Sequence, residues 1–180
     1  MGKALVFWFT GLSGAGKSTV AEGAKERLEQ SGIRVRVLDG DDIRTRMNHH
    51  LGFSEAEIKT NNALIVKLCE ALRPECDVIL VPIISPFRVS RRHARVQLGK
   101  GFFEVFINAR IAVVSRRDTK GLYAKARCGE IDNLIGFSPG AAYEPPDSPD
   151  IMLDTDTGTP EQAVDRFSEF VHHHLAKSSA

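Results

Sequence analysis

The chain has 180 residues and a formal net charge of +1, from 24 Lys+Arg against 23 Asp+Glu; this length suits one domain with a sizeable core, and the charge balance argues against a protein that coats nucleic acid. Its three cysteines, Cys69, Cys76 and Cys128, show no metal-ligand spacing, and as an odd set they are expected as reduced thiols of a cytoplasmic protein. No apolar run approaches the ~20 residues of a membrane span, and the N-terminus enters a strand too soon to read as a secretory leader.

The apolar run Ala4 to Thr10 predicts a first strand. Gly11-Leu12-Ser13-Gly14-Ala15-Gly16-Lys17-Ser18-Thr19 follows, and Val20 to Gln30 has a helical pattern. Strand, glycine-rich loop and helix are the context of a Walker A phosphate loop. Glycines let backbone N–H groups close around a polyphosphate, and the helix start adds unpaired N–H groups and the positive end of a dipole. Gly11, Ser13, Gly14, Ala15, Gly16, Lys17, Ser18 and Thr19 are therefore candidate ATP-binding residues. Lys17 supplies a charge for the β- and γ-phosphates, and Ser18 offers a hydroxyl to Mg²⁺.

Ile33 to Leu38 alternates and predicts a second strand, ending in Asp39-Gly40-Asp41-Asp42. Ligands of open α/β sheets sit outside the carboxyl ends of strands, which places these acids near the phosphate loop. A short helical piece, Ile43 to Asn48, puts Arg44 and Asn48 on one face. Ser54-Glu55-Ala56-Glu57 reads as a capping box. It opens a long helix whose stripe is Ile58, Ile65, Leu68, Cys69 and Leu72, and Pro74 ends it. Asp77 to Ile84 is a nearly continuous apolar run, as in a strand covered on both faces, with Pro82 stopping the ladder near Val81.

A basic helix from Phe87 to Leu98, a strand from Gly101 to Asn108 and a helix from Ala109 to Asp118 come next. Thr119 to Pro149, rich in Gly, Pro and charge, reads as a long irregular lid. A short strand, Ile151 to Asp154, and a closing helix, Pro160 to Ala176, complete the chain. Consecutive residues of a helix point in different directions, so His172, His173 and His174 cannot share one ion and read as a solvated helix end. His49 and His50 read as structural or solvated. The pattern predicts an α/β P-loop NTPase fold: a mostly parallel sheet of about five strands with helices on both faces. One domain is expected over residues 1–180, with a lid at about 119–149.

Five further segments occur in order: Leu38-Asp39-Gly40-Asp41-Asp42-Ile43-Arg44, Leu51-Gly52-Phe53-Ser54, Ile84-Ser85-Pro86-Phe87-Arg88, Arg117 to Arg127, and Tyr143-Glu144-Pro145-Pro146 before Leu153-Asp154-Thr155. Together with the phosphate loop they resemble the adenylylsulfate kinase family over about residues 4 to 160. The resemblance implies that ATP, with Mg²⁺, phosphorylates the 3′-hydroxyl of adenylylsulfate to give 3′-phosphoadenylylsulfate and ADP. It implies Asp41 as the group that orients and deprotonates the hydroxyl, Lys17 as its catalytic partner, and Asp39 with Ser18 in the metal shell.

By the same resemblance Ser85 matches a serine described as a possible phosphoserine intermediate. Direct in-line transfer needs no such intermediate, so Ser85 and the Ile84 backbone are expected to line the acceptor pocket. Phe53 matches an aromatic that stacks on the acceptor base. Arg44, Asn61, Lys120 and Leu134 are expected on the acceptor side, and Lys125 and Arg127 are lid cations, Arg127 toward ATP. The implied partners are small nucleotides, with no nucleic acid and no membrane, and the implied assembly is a homodimer.

The departures lie on the acceptor side. Ile58 stands where the family has an arginine, Ala63 and Leu64 where it has two more, Asp42 where it has asparagine, and Leu134 where it has a second stacking aromatic. Either Arg44 and Arg46 compensate or the acceptor differs. Two alternatives stay open: a kinase for another nucleotide conjugate, such as a cytidine diphosphoramidate-like acceptor, and a non-catalytic nucleotide-binding regulator. The complete set of Lys17, Ser18 and Asp41 argues against the second.

Overall fold

The computed structural model describes residues 4–47 and 51–178. Asn48, His49 and His50 lie outside the described residues, as does the Arg46 side chain, and so do the expectations placed on them. The elements are β1 (Leu5–Thr10), α1 (Lys17–Gln30), β2 (Val35–Val37), α2 (Gly40–Arg46), α3 (Glu55–Leu72), β3 (Val78–Val81), α4 (Arg88–Leu98), β4 (Phe102–Asn108), α5 (Ile111–Arg117), α6 (Leu122–Arg127), β5 (Ile151–Asp154) and α7 (Pro160–Ser178).

The strands form one sheet in the order β2-β3-β1-β4-β5, and every pairing is parallel. All six residues of β1 are buried, because helices cover both faces of the sheet. On one face Phe7, Phe9, Leu80 and Ile107 pack with Ala21, Ala24 and Leu28 of α1 and with Phe167 and Val171 of α7. On the other, Val6, Trp8, Ile79 and Val81 pack with Ile65 and Cys69 of α3 and with Ala94 and Leu98 of α4. Each fully buried Val, Leu, Ile or Phe side chain among these contributes roughly 1.5–3 kcal/mol. β1 lies between β3 and β4, where the strand order reverses, and its carboxyl end opens a crevice at that switch point.

Local signals set most boundaries. The box at Ser54 and Glu57 is present in both directions, and the ladder of β3 stops at Val81, one residue before Pro82. Two expectations are corrected. The acids after β2 belong to a helix: Asp39 is the N-cap of α2, and Asp41 and Asp42 lie in its first turn. The stretch from Thr119 is not irregular throughout, since α6 interrupts it and Tyr123, Leu134 and Ile135 are buried. Asp118 is the reason: its two carboxylate oxygens accept from the Tyr123 and Ala124 amides at 2.9 Å each, capping a helix too short to show periodicity.

Gly11 shows how closely the first turn after β1 is drawn to the sheet. Its φ is +150°, and a Cβ there would sit 2.5 Å from the Ile107 carbonyl oxygen. A backbone atom cannot step aside as a side chain does, so Gly11→Ala is expected to cost roughly 1–3 kcal/mol. The check is a thermal melt: the melting temperature should fall by several degrees, and nucleotide-induced stabilisation should shrink with it.

Candidate active site

Gly14 and Gly16 take left-handed backbone angles, φ +74° and +102°, and shape the phosphate loop between β1 and α1. Side chains from distant segments brace it. The Tyr123 hydroxyl donates to the Ser13 carbonyl at 2.8 Å and the Thr155 hydroxyl to the Ala15 carbonyl at 2.9 Å. Burial pushes the Tyr123 phenol up to about 12, so it stays a donor near neutral pH. Lys17 folds back over the loop, its Nζ donating to the Gly11 and Leu12 carbonyls at 3.0 and 2.7 Å. Burial, helped by the charge of Lys120, pulls its ammonium down to about 7 against the opposing pull of Asp41 and Asp39.

The acids of α2 face this loop. Asp39 Oδ1 accepts from the Asp41 amide and Asp39 Oδ2 from the Ser18 hydroxyl, both at 2.9 Å. Gly40 permits the approach, since a Cβ there would lie 2.8 Å from Ile83 Cγ2. Asp41 pairs with Lys120, and both side chains are more than half exposed. Such a pair is weak and easily exchanged.

The opposite wall is rigid. Ser85, at the end of the chain's path out of β3, is 2 % exposed and holds φ +42°, an uncommon angle for a residue with a side chain. Trp8 Nε1 and Asn62 Nδ2 each donate to its hydroxyl at 3.0 Å. Its carbonyl accepts from Arg91 Nη1 at 2.6 Å and from the Thr10 hydroxyl at 3.2 Å. Thr10 also reaches the Ile84 carbonyl at 2.8 Å and the Tyr143 hydroxyl at 2.9 Å. Arg91, itself buried, goes on to pair with half-buried Glu104 and donates to the Glu144 carbonyl at 2.7 Å.

A sequence profile of the family described as adenylylsulphate kinase matches residues 3–154. The chain belongs to the adenylylsulphate kinase family. An adenylyl-sulfate kinase of Halothermothrix orenii is 43% identical over 172 residues, covering 94% of this chain and 90% of its own. The Mycobacterium tuberculosis APS kinase CysC, solved with AMPPNP and APS, superposes with a TM-score of 0.86 at 39% identity, covering 94% of this chain and 99% of its own. A hexameric APS kinase from Thiobacillus denitrificans is 26% identical, with a TM-score of 0.69 over 96% of this chain and 29% of its own.

Against the adenylylsulphate kinase family's expectations, Lys17, Ser18, Asp39, Asp41 and Lys120 converge on one end of the sheet, with Ile84 and Ser85 held beside Thr10 on the neighbouring strand end. Other candidates lie differently. Arg127 is turned to the Ser115 carbonyl at 3.3 Å, with its guanidinium 5.8 Å from the Phe137 ring. Leu134, expected as an acceptor contact, is buried in the core cluster that holds Tyr123. Ile58 and Asn61 are each 6% exposed on α3. Arg44 is occupied by two backbone carbonyls, those of Leu51 and Gly52.

Several residues of the site carried no functional reading in the sequence: Trp8, Thr10, Asn62, Arg91, Tyr123, Tyr143 and Thr155. Two had a usable signal. Trp8 lies within a fully apolar strand, and a buried indole N–H needs an acceptor. Asn62 is a polar residue buried between Ile58 and Ile65 on the same helix, and such a group must be bonded.

The state of Lys17 makes a pH prediction. With a pKa of about 7 in the free protein against 10.5 for an ordinary lysine, it is largely neutral between those values. Bound phosphates favour the ammonium and raise the pKa again. The complex then holds more protons than the free protein in that window, so ATP binding takes up protons and weakens as pH rises through it. Calorimetry at pH 8 in buffers of different ionisation enthalpy should show that uptake, and Lys17→Ala should lose it.

Proposed function

We propose that this protein is an adenylylsulfate kinase, transferring the γ-phosphoryl group of ATP to the 3′-hydroxyl of adenylylsulfate. The observation that carries the reading is the arrangement of α2: Asp39 is bonded to Ser18 of the phosphate loop while Asp41, in the next turn position, faces the lid lysine Lys120. Phosphoryl transfer asks for positioning and charge neutralisation rather than covalent help, and these groups supply both inside a family whose curated relatives are adenylyl-sulfate kinases.

In this reading the loop residues Gly11, Ser13 to Gly16, Lys17, Ser18 and Thr19 hold the triphosphate. Ser18 and Asp39 present two hard oxygens side by side, which suits Mg²⁺, an ion that takes one or two protein ligands and completes its shell with phosphates and water. When bound, the ion neutralises charge on the transferring group. Asp41 orients the acceptor hydroxyl and takes its proton. Lys120 leaves its exposed pair with Asp41 for the phosphates, which frees the carboxylate for that task. Arg127 serves ATP only after swinging away from Ser115. Phe53, half exposed, is the platform for the acceptor base, with Asn61, Ile84 and Ser85 behind it.

Ser85 acts as wall and not as nucleophile, because its hydroxyl is buried and already accepts two hydrogen bonds. No described helix is long and apolar enough to cross a membrane. A cytoplasmic homodimer is the proposed setting on family resemblance, and sedimentation distinguishes it from the hexamer of the Thiobacillus relative.

One observation favours a second reading. Ile58 is buried and Ala63 and Leu64 are half buried, and the neighbouring Lys59 is paired with Glu55, so these three positions of α3 offer no cation to a phosphosulfate, and a less anionic nucleotide conjugate would be accepted there. The test is ADP release over a panel of adenylyl, cytidylyl and uridylyl conjugates. Preferred turnover of adenylylsulfate is expected. Preference for a cytidylyl conjugate would replace the acceptor, and no turnover with any member would leave a nucleotide-binding regulator. With the preferred acceptor, Asp41→Asn should lower kcat by ~100-fold or more while the acceptor KM moves only a few-fold, as steady-state kinetics would show.

A further inference from the structure

A trans peptide is planar, and its carbonyl and amide point in opposite directions. A loop that offers amides to phosphates must therefore turn the matching carbonyls away from the ligand, and each buried carbonyl needs a donor where it ends up. Two peptides of the phosphate loop, Ser13 to Gly14 and Ala15 to Gly16, lead into glycines of left-handed angle, φ +74° and +102°. A Cβ on either glycine would meet nothing nearer than 3.7 Å, so the backbone angle and not a lack of space calls for glycine. A glycine accepts either orientation of the peptide before it. The loop's own stereochemistry thus leaves the direction of these two amides open.

Two side chains from distant segments decide it. The Tyr123 hydroxyl donates to the Ser13 carbonyl at 2.8 Å, and the Thr155 hydroxyl donates to the Ala15 carbonyl at 2.9 Å. Each donor stands on fixed ground. Tyr123 is 1% exposed, its amide bonded to Asp118 and its ring edge-on to Phe137 at 5.4 Å. Thr155 follows β5, its amide donating to the Asn108 carbonyl at 3.0 Å and its carbonyl accepting from Arg117. The Thr155 hydroxyl also lies 3.3 Å from the Asn108 carbonyl, but that acceptor already has the amide, and the Ala15 contact is shorter. Ser13 and Ala15 are buried, so their carbonyls have little access to water as a substitute. Among the described residues, neither the Gly14 amide nor the Gly16 amide donates to a protein acceptor.

We infer that Tyr123 and Thr155 are positioning residues for ATP: each holds one carbonyl of the phosphate loop outward and so turns the amide of the following glycine, Gly14 or Gly16, toward the phosphates. Neither side chain touches the nucleotide in this role. The inference rests on the reading of Gly11 to Thr19 as the ATP phosphate loop. It gives the segment after α5 a task beyond its cations, since the short helix that carries Lys125 and Arg127 also sets the direction of a loop amide.

The test is proton–nitrogen correlation NMR of the full chain, following the Gly14 and Gly16 amides as AMPPNP and Mg²⁺ are added. An amide that meets a phosphate oxygen makes a charge-assisted hydrogen bond, and its proton resonance moves downfield. Both glycines should respond in the wild-type protein. In Tyr123→Phe, which keeps the ring and loses the hydroxyl, the Gly14 response should vanish and the Gly16 response should remain. In Thr155→Val the reverse should hold, and Thr155→Ser, which keeps the hydroxyl, should restore the Gly16 response. In steady-state kinetics Tyr123→Phe and Thr155→Val should each raise the ATP KM ~10-fold, with kcat and the adenylylsulfate KM within ~3-fold, because loop amides hold the triphosphate in ground and transition state alike.

Loss of both glycine responses in either variant would overturn the inference, because it would show a general loosening of the loop. Survival of the Gly14 response in Tyr123→Phe, or of the Gly16 response in Thr155→Val, would overturn it by showing that the amide needs no brace. An adenylylsulfate KM that rises as far as the ATP KM would count against it as well. Should Tyr123→Phe melt below the assay temperature, the contrast between Thr155→Val and Thr155→Ser still decides. If AMPPNP moves neither glycine in the wild-type protein, the phosphate-loop reading itself fails and the inference falls with it.

Discussion

Asp39 ties the two halves of the site together. One of its carboxylate oxygens caps α2 through the Asp41 amide, and the other accepts the hydroxyl of Ser18 at the start of α1. The first bond fixes where α2 begins, and hence where Asp41 and Arg44 point. The second fixes that helix against the phosphate loop. A carboxylate is suited to this, because it presents several lone pairs in one plane and favours the N-terminal ends of helices. Gly40 lets the helix come close enough for both bonds to form, since a side chain there would meet Ile83.

Around that link the protein divides into a rigid and an exchangeable part. The rigid part is the polar network of buried Thr10, Ser85 and Arg91 with half-buried Glu104 and Tyr143, in which one residue of uncommon backbone angle is held by four donors. In a low-dielectric interior such bonds are strong together and costly to break singly. The exchangeable part is exposed. Lys120 and Asp41 form an exposed pair, and Arg127 donates to the Ser115 carbonyl with its guanidinium over the Phe137 ring. Exposed contacts of this kind are weak and cost little to exchange. The stretch after α5 joins the two parts, with Tyr123 bonded inside the phosphate loop and Tyr143 and Glu144 bonded to the wall at Thr10 and Arg91.

Much of this was legible in the linear chain where the signal is local. The phosphate loop, the capping box at Ser54 and the end of β3 before Pro82 follow from spacing and from the stereochemistry of glycine and proline, whereas the acids read as the end of β2 cap and open α2. The all-buried character of β3 follows in the same way from a nearly continuous apolar run. The lid was read as irregular because α6 spans six residues, and the Asp118 cap that starts it was not read from the residues around it.

What the sequence determined by itself was the fold class, the nucleotide loop and the family to which the chain belongs, because each depends on short segments whose geometry is decided by near neighbours. Only the tertiary structure decided how side chains far apart in sequence use their hydrogen-bonding capacity. It drew Arg44 to the Leu51 and Gly52 carbonyls and over the Phe53 ring, placed Leu134 in the core, and surrounded Ser85 with Trp8, Asn62 and Arg91. A side chain's partners are set by which segments the sheet order brings together. A donor seventy-seven residues away, as Trp8 is from Ser85, leaves no periodic trace in the chain.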